Sequence, residues 1–313
     1  HRHNRRRTTL PPIPSWPTSQ REMINDTPNL DAPMADLGPF LRRRVDGRPR
    51  LMGIVNVTPD SFHAGSRVDS VSEAVEVGLA MWDAGADWVD VGGESTRPGA
   101  LPVAVEEELE RVIPVISALK DARPDGLISV DTRRPAVAAA ALDAGADMVN
   151  DVSGLRDPAM LELVRERGCA VCIMHMLGEP GDMQSDPQYT DVVAEVSREL
   201  NATAQSLIDQ GHPPELICID PGIGFGKLLE HNLALLRDGA QLRGPHGLAL
   251  LWGVSRKSMF KELLGQERTE DRLSGTLAVA AHAHNRGVDL LRVHDVAEHA
   301  DLFTALKELG REA

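Results

Sequence analysis

The hexapeptide Ala84-Gly85-Ala86-Asp87-Trp88-Val89 returns as Ala144-Gly145-Ala146-Asp147-Met148-Val149, and Arg286-Gly287-Val288-Asp289-Leu290-Leu291 is a looser third copy. Each copy places a glycine where a helix would end, because a residue without a Cβ enters the left-handed cap conformation at little cost. An aspartate and then apolar residues follow, as at the start of a buried strand. The repeat therefore reads as the joint between a helix and the next strand of a parallel sheet, and the first two copies lie two such units apart.

From Leu51 onward, short runs rich in Val, Ile and Leu alternate with segments of helical period. The candidate strands are Leu51–Val57, Trp88–Val91, Ile128–Val130, Met148–Asn150, Ala170–Met174, Leu216–Ile219, Ala249–Gly253 and Leu290–Val293. Between them, Val105, Leu109, Val112, Ile116 and Leu119 form one helical stripe, and Val193, Val196, Leu200, Ala204 and Leu207 another. Eight units in roughly 260 residues predict an α/β protein with a single (β/α)8 (TIM) barrel domain. A doubly wound open sheet is the alternative, but no G-x-G-x-x-G follows the first strand to favour it.

The composition fits a folded, soluble chain: of 313 residues, 42% are hydrophobic and 26% charged. Nothing approaches the roughly 20 uninterrupted apolar residues of a membrane span, and the N-terminus lacks a signal-peptide apolar segment, so a cytoplasmic protein without a membrane partner is expected. Residues 1–50 carry ten Arg against five acids, whereas the remainder carries 23 basic groups against 42 acidic ones. That acidic body should repel nucleic acid. With only five lysines in the chain, such a surface also suits a salt-rich cytoplasm. Three cysteines are too few for a disulfide framework, and the odd spacing of Cys169 and Cys172 sends their side chains to opposite faces of a strand. Residues 1–35, with the Arg5–Arg7 run and six prolines, read as a disordered tail or linker ahead of a barrel domain over 36–313. His1 in place of Met is compatible with a fragment, a processed form or a piece of a fusion.

A barrel puts its chemistry at the C-terminal ends of its strands, and nearly every strand here ends in a polar residue. The set is Asn56, Glu94 with Ser95-Thr96-Arg97, Asp131, Asn150-Asp151, His175, Asp220, Ser255-Arg256-Lys257, and Arg292 with His294. Asp131, Asn150 and Asp220 offer acceptors near the barrel axis, suited to a flat heterocycle with a guanidine-like edge, since a buried carboxylate needs donor partners. Lys257, Arg292, His294 and Asn56 form a cationic, polar rim suited to phosphate or pyrophosphate. Two long loops, 56–65 and 93–99, combine Gly, Pro and hydroxyl residues and are built to approach a substrate. The Gly-rich run Asp220 to Lys227 lacks the Walker spacing.

With these segments assembled, the chain resembles the dihydropteroate synthases, the sulfonamide-inhibited enzymes of folate biosynthesis. The resemblance rests on Gly53-Ile54-Val55-Asn56-Val57-Thr58-Pro59-Asp60-Ser61-Phe62, Asp90-Val91-Gly92-Gly93-Glu94-Ser95-Thr96-Arg97-Pro98-Gly99, Ile128-Ser129-Val130-Asp131-Thr132, Asp220 to Lys227, Ser255-Arg256-Lys257-Ser258 and Arg292-Val293-His294-Asp295-Val296, all in family order. It implies a transferase that condenses 7,8-dihydropterin-6-ylmethyl diphosphate with 4-aminobenzoate, works as a homodimer, and uses Mg²⁺ placed with the help of Asn56. By position it implies that Asp131, Asn150, Asp220 and Lys257 hold the pterin, with Met176 and Arg292 against its ring. Asn56, Arg292 and His294 are implied for the diphosphate, and Phe62, Thr96, Arg97, Pro98, Phe225 and Ser258 for aminobenzoate. The catalytic set is Lys257, Arg292, His294 and Asn56. One departure stands out: the family's first loop commonly reads Ser-Phe-Ser-Asp-Gly, whereas here it is Ser61-Phe62-His63-Ala64-Gly65, without the loop carboxylate. Competing readings are a corrinoid-dependent methyltransferase on a related pterin-binding barrel, which has no use for a diphosphate rim, and a pterin-binding paralogue without catalysis.

Overall fold

The computed structural model describes residues 36–58, 67–95, 101–178 and 183–310. The expected tail at 1–35 lies outside the described residues. Eight strands, β1 (Arg50–Asn56), β2 (Trp88–Gly92), β3 (Leu127–Asp131), β4 (Met148–Asp151), β5 (Ala170–Met174), β6 (Ile217–Asp220), β7 (Ala249–Trp252) and β8 (Leu290–Val293), pair in parallel in that order and close into a barrel. The last strand returns to the first through Arg50 and Leu290. Helices α1 (Arg67–Asp83), α2 (Val105–Ala122), α3 (Pro135–Asp143), α4 (Pro158–Arg167), α5 (Val192–Asp209) and α6 (Leu229–Asp238) alternate with the strands. Two helices, α7 (Met259–Leu264) and α8 (Leu273–Asn285), separate β7 from β8, and α9 (Val296–Leu309) follows.

All eight expected strands are present, β5 and β8 with the expected ends and the other six with ends moved by one residue. The shift has a physical cause. Gly92, Asp131, Asp151 and Asp220 remain in the strand ladder although their polarity or lack of a side chain ends the apolar run, because the ladder is made by backbone groups.

The repeated hexapeptide also finds its reason. Its glycines have positive φ, 106° at Gly85, 105° at Gly145 and 69° at Gly287. Each aspartate accepts the N–H of the second residue of a neighbouring strand: Leu51 to Asp87 at 3.0 Å, Ile128 to Asp147 at 2.9 Å and Leu250 to Asp289 at 2.9 Å. A basic partner offsets each charge, with Arg50 2.7 Å from Asp87 and Lys120 3.0 Å from Asp147, and Arg243 bound to the buried Asp289.

Alternation along the strands separates two interiors. Outward residues such as Val89, Val91, Ile128, Val130, Ile217 and Ile219 pack under the helices in the main core. In α5 the buried stripe is Val192, Val196, Leu200, Ala204 and Leu207, and in α2 it includes Val112, Ile116 and Leu119. Inward residues Met52, Trp88, Met148, Cys172, Cys218, Leu251 and Leu290 fill the barrel, joined by Leu37 and Leu41 from the segment ahead of β1. Trp88 Nε1 donates to the Phe40 carbonyl at 2.9 Å, which fixes that segment across the strand starts. The barrel is thus plugged by apolar side chains at its N-terminal end, and its polar inward residues collect at the other. Cys169 and Cys172 do fall on opposite sides, one in the helix-facing core and one in the barrel.

Candidate active site at the barrel mouth

Above the apolar plug, the inward positions of β2, β3, β4, β6 and β8 carry Asp90, Asp131, Asn150, Asp220 and Arg292. Arg292 organises them. Its Nε lies 2.6 Å from Asp90 Oδ2 and its Nη2 lies 2.6 Å from Asp131 Oδ2. Asn150 Nδ2 donates to the same Asp90 oxygen at 3.2 Å. One guanidinium and one amide therefore link four strands across the mouth. Burial opposes the charge of Arg292, but Asp90 and Asp131 outweigh it and raise its pKa, so it stays cationic.

Burial dominates the protonation of two of these carboxyls. Burial pushes Asp131 up to about 7, with Arg292 opposing the rise and Asp90 adding to it. Burial likewise raises Asp220, against the pull of the Gly222 N–H, which donates to its Oδ1 at 2.8 Å, and of Lys257 and Arg292. Such acids are set to accept N–H donors of a ligand in a dry pocket.

Lys257 and Phe225 form the next layer, with Lys257 Nζ 4.0 Å from the centre of the Phe225 ring, a cation–π contact. Phe225 and Met176 belong to one apolar cluster with Val152, Met174 and Met183, so the structure brings the expected pterin-side methionine and aminobenzoate-side phenylalanine together. The loop carrying Phe225 lies backbone-on-backbone against the end of β5. Gly222 has φ +68°, and a Cβ there would sit 1.8 Å from the His175 carbonyl oxygen, so only glycine is accommodated.

His294 and Lys257 leave neighbouring strands and are stitched together. Ser255 Oγ lies 2.9 Å from His294 Nδ1 and accepts the His294 N–H at 3.1 Å. Arg256, at φ +56°, is held in its left-handed conformation by a two-pronged ion pair with Asp295 and by its N–H to Thr276 Oγ1 at 3.1 Å. Asn56 continues the inward alternation of Met52 and Ile54 and stands half-buried at the rim, opposite Gly92 in register. Ser258 is exposed immediately before α7.

The expected residues Asn56, Asp131, Asn150, Met176, Asp220, Phe225, Lys257, Ser258, Arg292 and His294 all stand on the C-terminal side of the barrel. Phe62, Thr96, Arg97 and Pro98, with Ala64, lie outside the described residues. His175 is a correction to the rim set. It follows inward-facing Met174, so alternation turns it toward the helices, where its Nδ1 lies 3.0 Å from Lys227 Nζ and its Nε2 lies 3.2 Å from Glu199. Burial, with Lys227 adding to it, pushes this imidazole down to about 3 and keeps it neutral. Asp90 is the residue that the rim reading missed. It is fully buried one step below the mouth, and an acid within Trp88-Val89-Asp90-Val91 was the available signal.

The profile of the pterin binding enzyme family matches residues 52–294. The dihydropteroate synthase of Escherichia coli strain K12 is 48% identical over 259 residues, covering 83% of this chain and 91% of the relative. The chain belongs to the dihydropteroate synthase family. A probable bifunctional folylpolyglutamate synthase/dihydropteroate synthase of Haloferax volcanii is 49% identical over 249 residues, but the match spans 80% of this chain and only 29% of that longer relative. The dihydropteroate synthase of Xanthomonas albilineans, solved with 4-aminobenzoic acid, superposes with a TM-score of 0.79 at 46% identity, covering 85% of this chain and 94% of that one. In dihydropteroate synthase terms, the layer of Asp131, Asn150 and Asp220 lies beside the cations of Lys257 and Arg292. No helix among the described residues is long and apolar enough to cross a membrane.

Proposed function

We propose that this barrel catalyses the condensation of 7,8-dihydropterin-6-ylmethyl diphosphate with 4-aminobenzoate to 7,8-dihydropteroate and pyrophosphate at its C-terminal mouth. The observation that carries the assignment is the adjacency of a buried acceptor layer and a cationic rim, joined by Arg292. Asp131, Asn150 and Asp220 receive the N–H edge of the pterin, while Met176 and the flat face of Arg292 cover its ring. Lys257 spans both parts, since its ammonium faces Asp220 electrostatically and lies on Phe225.

Asn56, Arg292 and His294 hold the diphosphate, with Ser255 setting the orientation of the imidazole. The donor set suits Mg²⁺: Asn56 offers a neutral oxygen at the rim, and this hard cation commonly takes one or two protein oxygens and completes its shell with substrate phosphate and water. When bound, the ion would offset charge on the departing diphosphate. Fixed cations beside the leaving group favour cleavage of the C–O bond, with the electron pair departing on pyrophosphate and the pterin delocalising the methylene cation. The aniline nitrogen of aminobenzoate then forms the new C–N bond and loses a proton.

Thr96, Arg97, Pro98, Phe62, Phe225 and Ser258 form the aminobenzoate side, where sulfonamides would compete. A homodimer in the cytoplasm completes the reading, and the exposed Leu263 and Leu264 of α7 offer apolar surface for a second subunit. Pyrophosphate release, followed with and without aminobenzoate, tests the assignment. Sustained release requiring aminobenzoate is expected. Pterin binding without any release would instead mark a non-catalytic binder, and methyl transfer from methyl-tetrahydrofolate would mark the corrinoid-linked reaction.

A further inference from the structure

Two nearly inaccessible acids stand at the base of the β2–α2 connection, outside the pterin layer. The Glu94 side chain is 7% exposed and that of Glu108 is 1% exposed. Glu94, just past β2, accepts the N–H of Val103, just before α2, through Oε2 at 2.8 Å. The two ends of the connection are thereby tied directly. Arg134 closes the same neck from the β3–α3 turn. Its Nη2 lies 2.8 Å from that Glu94 oxygen and also donates to the Val103 carbonyl, while its Nη1 pairs with Glu108. Arg133 Nε adds a bond to the other Glu94 oxygen at 3.0 Å, and Arg111 Nη1 donates to the Gly93 carbonyl at 2.6 Å.

This neck is coupled to the pterin layer through the chain itself. Arg134 follows Asp131 by three residues, its N–H donates to Thr132 Oγ1 at 3.2 Å, and the Thr132 N–H reaches the Asn150 carbonyl at 3.1 Å. Burying ionised groups is a poor way to gain stability, because desolvation cancels most of the attraction. What such a network does supply is geometry. A planar guanidinium with three acceptors on two sides admits one arrangement of the two stems relative to the end of β3.

We infer that Arg134 and Glu94 are positioning residues for aminobenzoate recognition: they fix where the segment bearing Thr96, Arg97 and Pro98 leaves and rejoins the barrel, and so hold the second substrate's site in register with the first. The inference rests on the assignment of aminobenzoate to that segment. Neither residue needs to touch a substrate, and the neck reaches Asn150 one bond removed, through Thr132, whereas it bonds both stems of the segment directly.

Steady-state kinetics on the full chain test it. Arg134→Met should raise the aminobenzoate KM by about tenfold or more, because small misplacements of a positioning element are costly, while the KM for the pterin diphosphate stays within about twofold. Arg134→Lys restores one ion pair but not the fork, so it should recover part of the loss. Glu94→Gln keeps an acceptor for Val103 and removes the charge, and it carries the same test if Arg134→Met fails to fold. An equal rise in both KM values would show a merely structural role and overturn the inference, as would unchanged kinetics. Arg97→Ala separates the two levels. If it raises the aminobenzoate KM while Arg134→Met does not, the neck has no such role. If Arg97→Ala has no effect, the assignment of aminobenzoate to the segment is at fault instead.

Discussion

Arg292 Nη2 lies 2.6 Å from Asp131 Oδ2, joining the last strand of the barrel to the third across the mouth. Because Nε of the same guanidinium is committed to Asp90, the arginine is oriented before any ligand arrives. A preset cation loses little freedom on binding, which is how fixed dipoles become effective at a developing negative charge.

The Asp131 carboxyl is raised from 3.8 to about 7 chiefly by burial, which should make pterin affinity depend on pH. Between these values the native chain holds a proton that the unfolded chain has lost, so this group's contribution to stability falls as pH rises through the window. A ligand offering N–H donors favours the ionised form, so binding below pH 7 should expel a proton and tighten toward neutrality. Calorimetry in buffers of different ionisation enthalpy measures that proton. Asp131→Asn should reduce the number released; an unchanged number would exclude Asp131 as its source.

Asp220→Ala should abolish measurable pterin binding. Two charge-assisted hydrogen bonds at about 1.5–3 kcal/mol each are lost, raising Kd by roughly two orders of magnitude or more. Unaltered affinity in calorimetry would refute the anchor.

Ser255→Ala removes the contact that orients the His294 ring while leaving Lys257 in place. The loss of one such bond, about 0.5–1.5 kcal/mol, should weaken product inhibition by pyrophosphate by roughly two- to tenfold. The aminobenzoate KM should not move. Inhibition constants for pyrophosphate give the answer.

Gly222→Ala should destabilise the fold by about 3 kcal/mol or more, because it adds both left-handed strain and a backbone collision with the His175 carbonyl. For a domain of this size that is a fall in Tm of roughly 6–12 °C. A thermal melt within a degree or two of the parent would mean the two loops part easily.

Much of this was legible in the chain because buried parallel strands announce themselves as Val, Ile and Leu runs and the polar residues that end them point to the mouth. Where the pleat matters more than composition, residue type and strand end mislead. His175 has the right residue type at the right strand end, yet it follows an inward methionine and therefore faces Lys227 and Glu199. Asp90 shows the converse: it sits within an apolar strand, and only the alternation shared with Trp88 and Gly92 turns it inward to Arg292. Lys227 closes a glycine-rich run that looks made for phosphate, but its ammonium lies 2.9 Å from the Phe225 carbonyl inside the protein, and burial brings it down to about 7. Composition names the chemistry available; the two-residue period decides which space it enters.

The interlocking of Asp90, Asn150, Asp131 and Arg292 also shapes how this enzyme can change over generations. Altering any one member costs another a hydrogen-bond or ion-pair partner, so single-step variation at the pocket floor is penalised whatever advantage it brings. A lineage pressed by a competitive inhibitor has its freedom in the connecting segments above the strands.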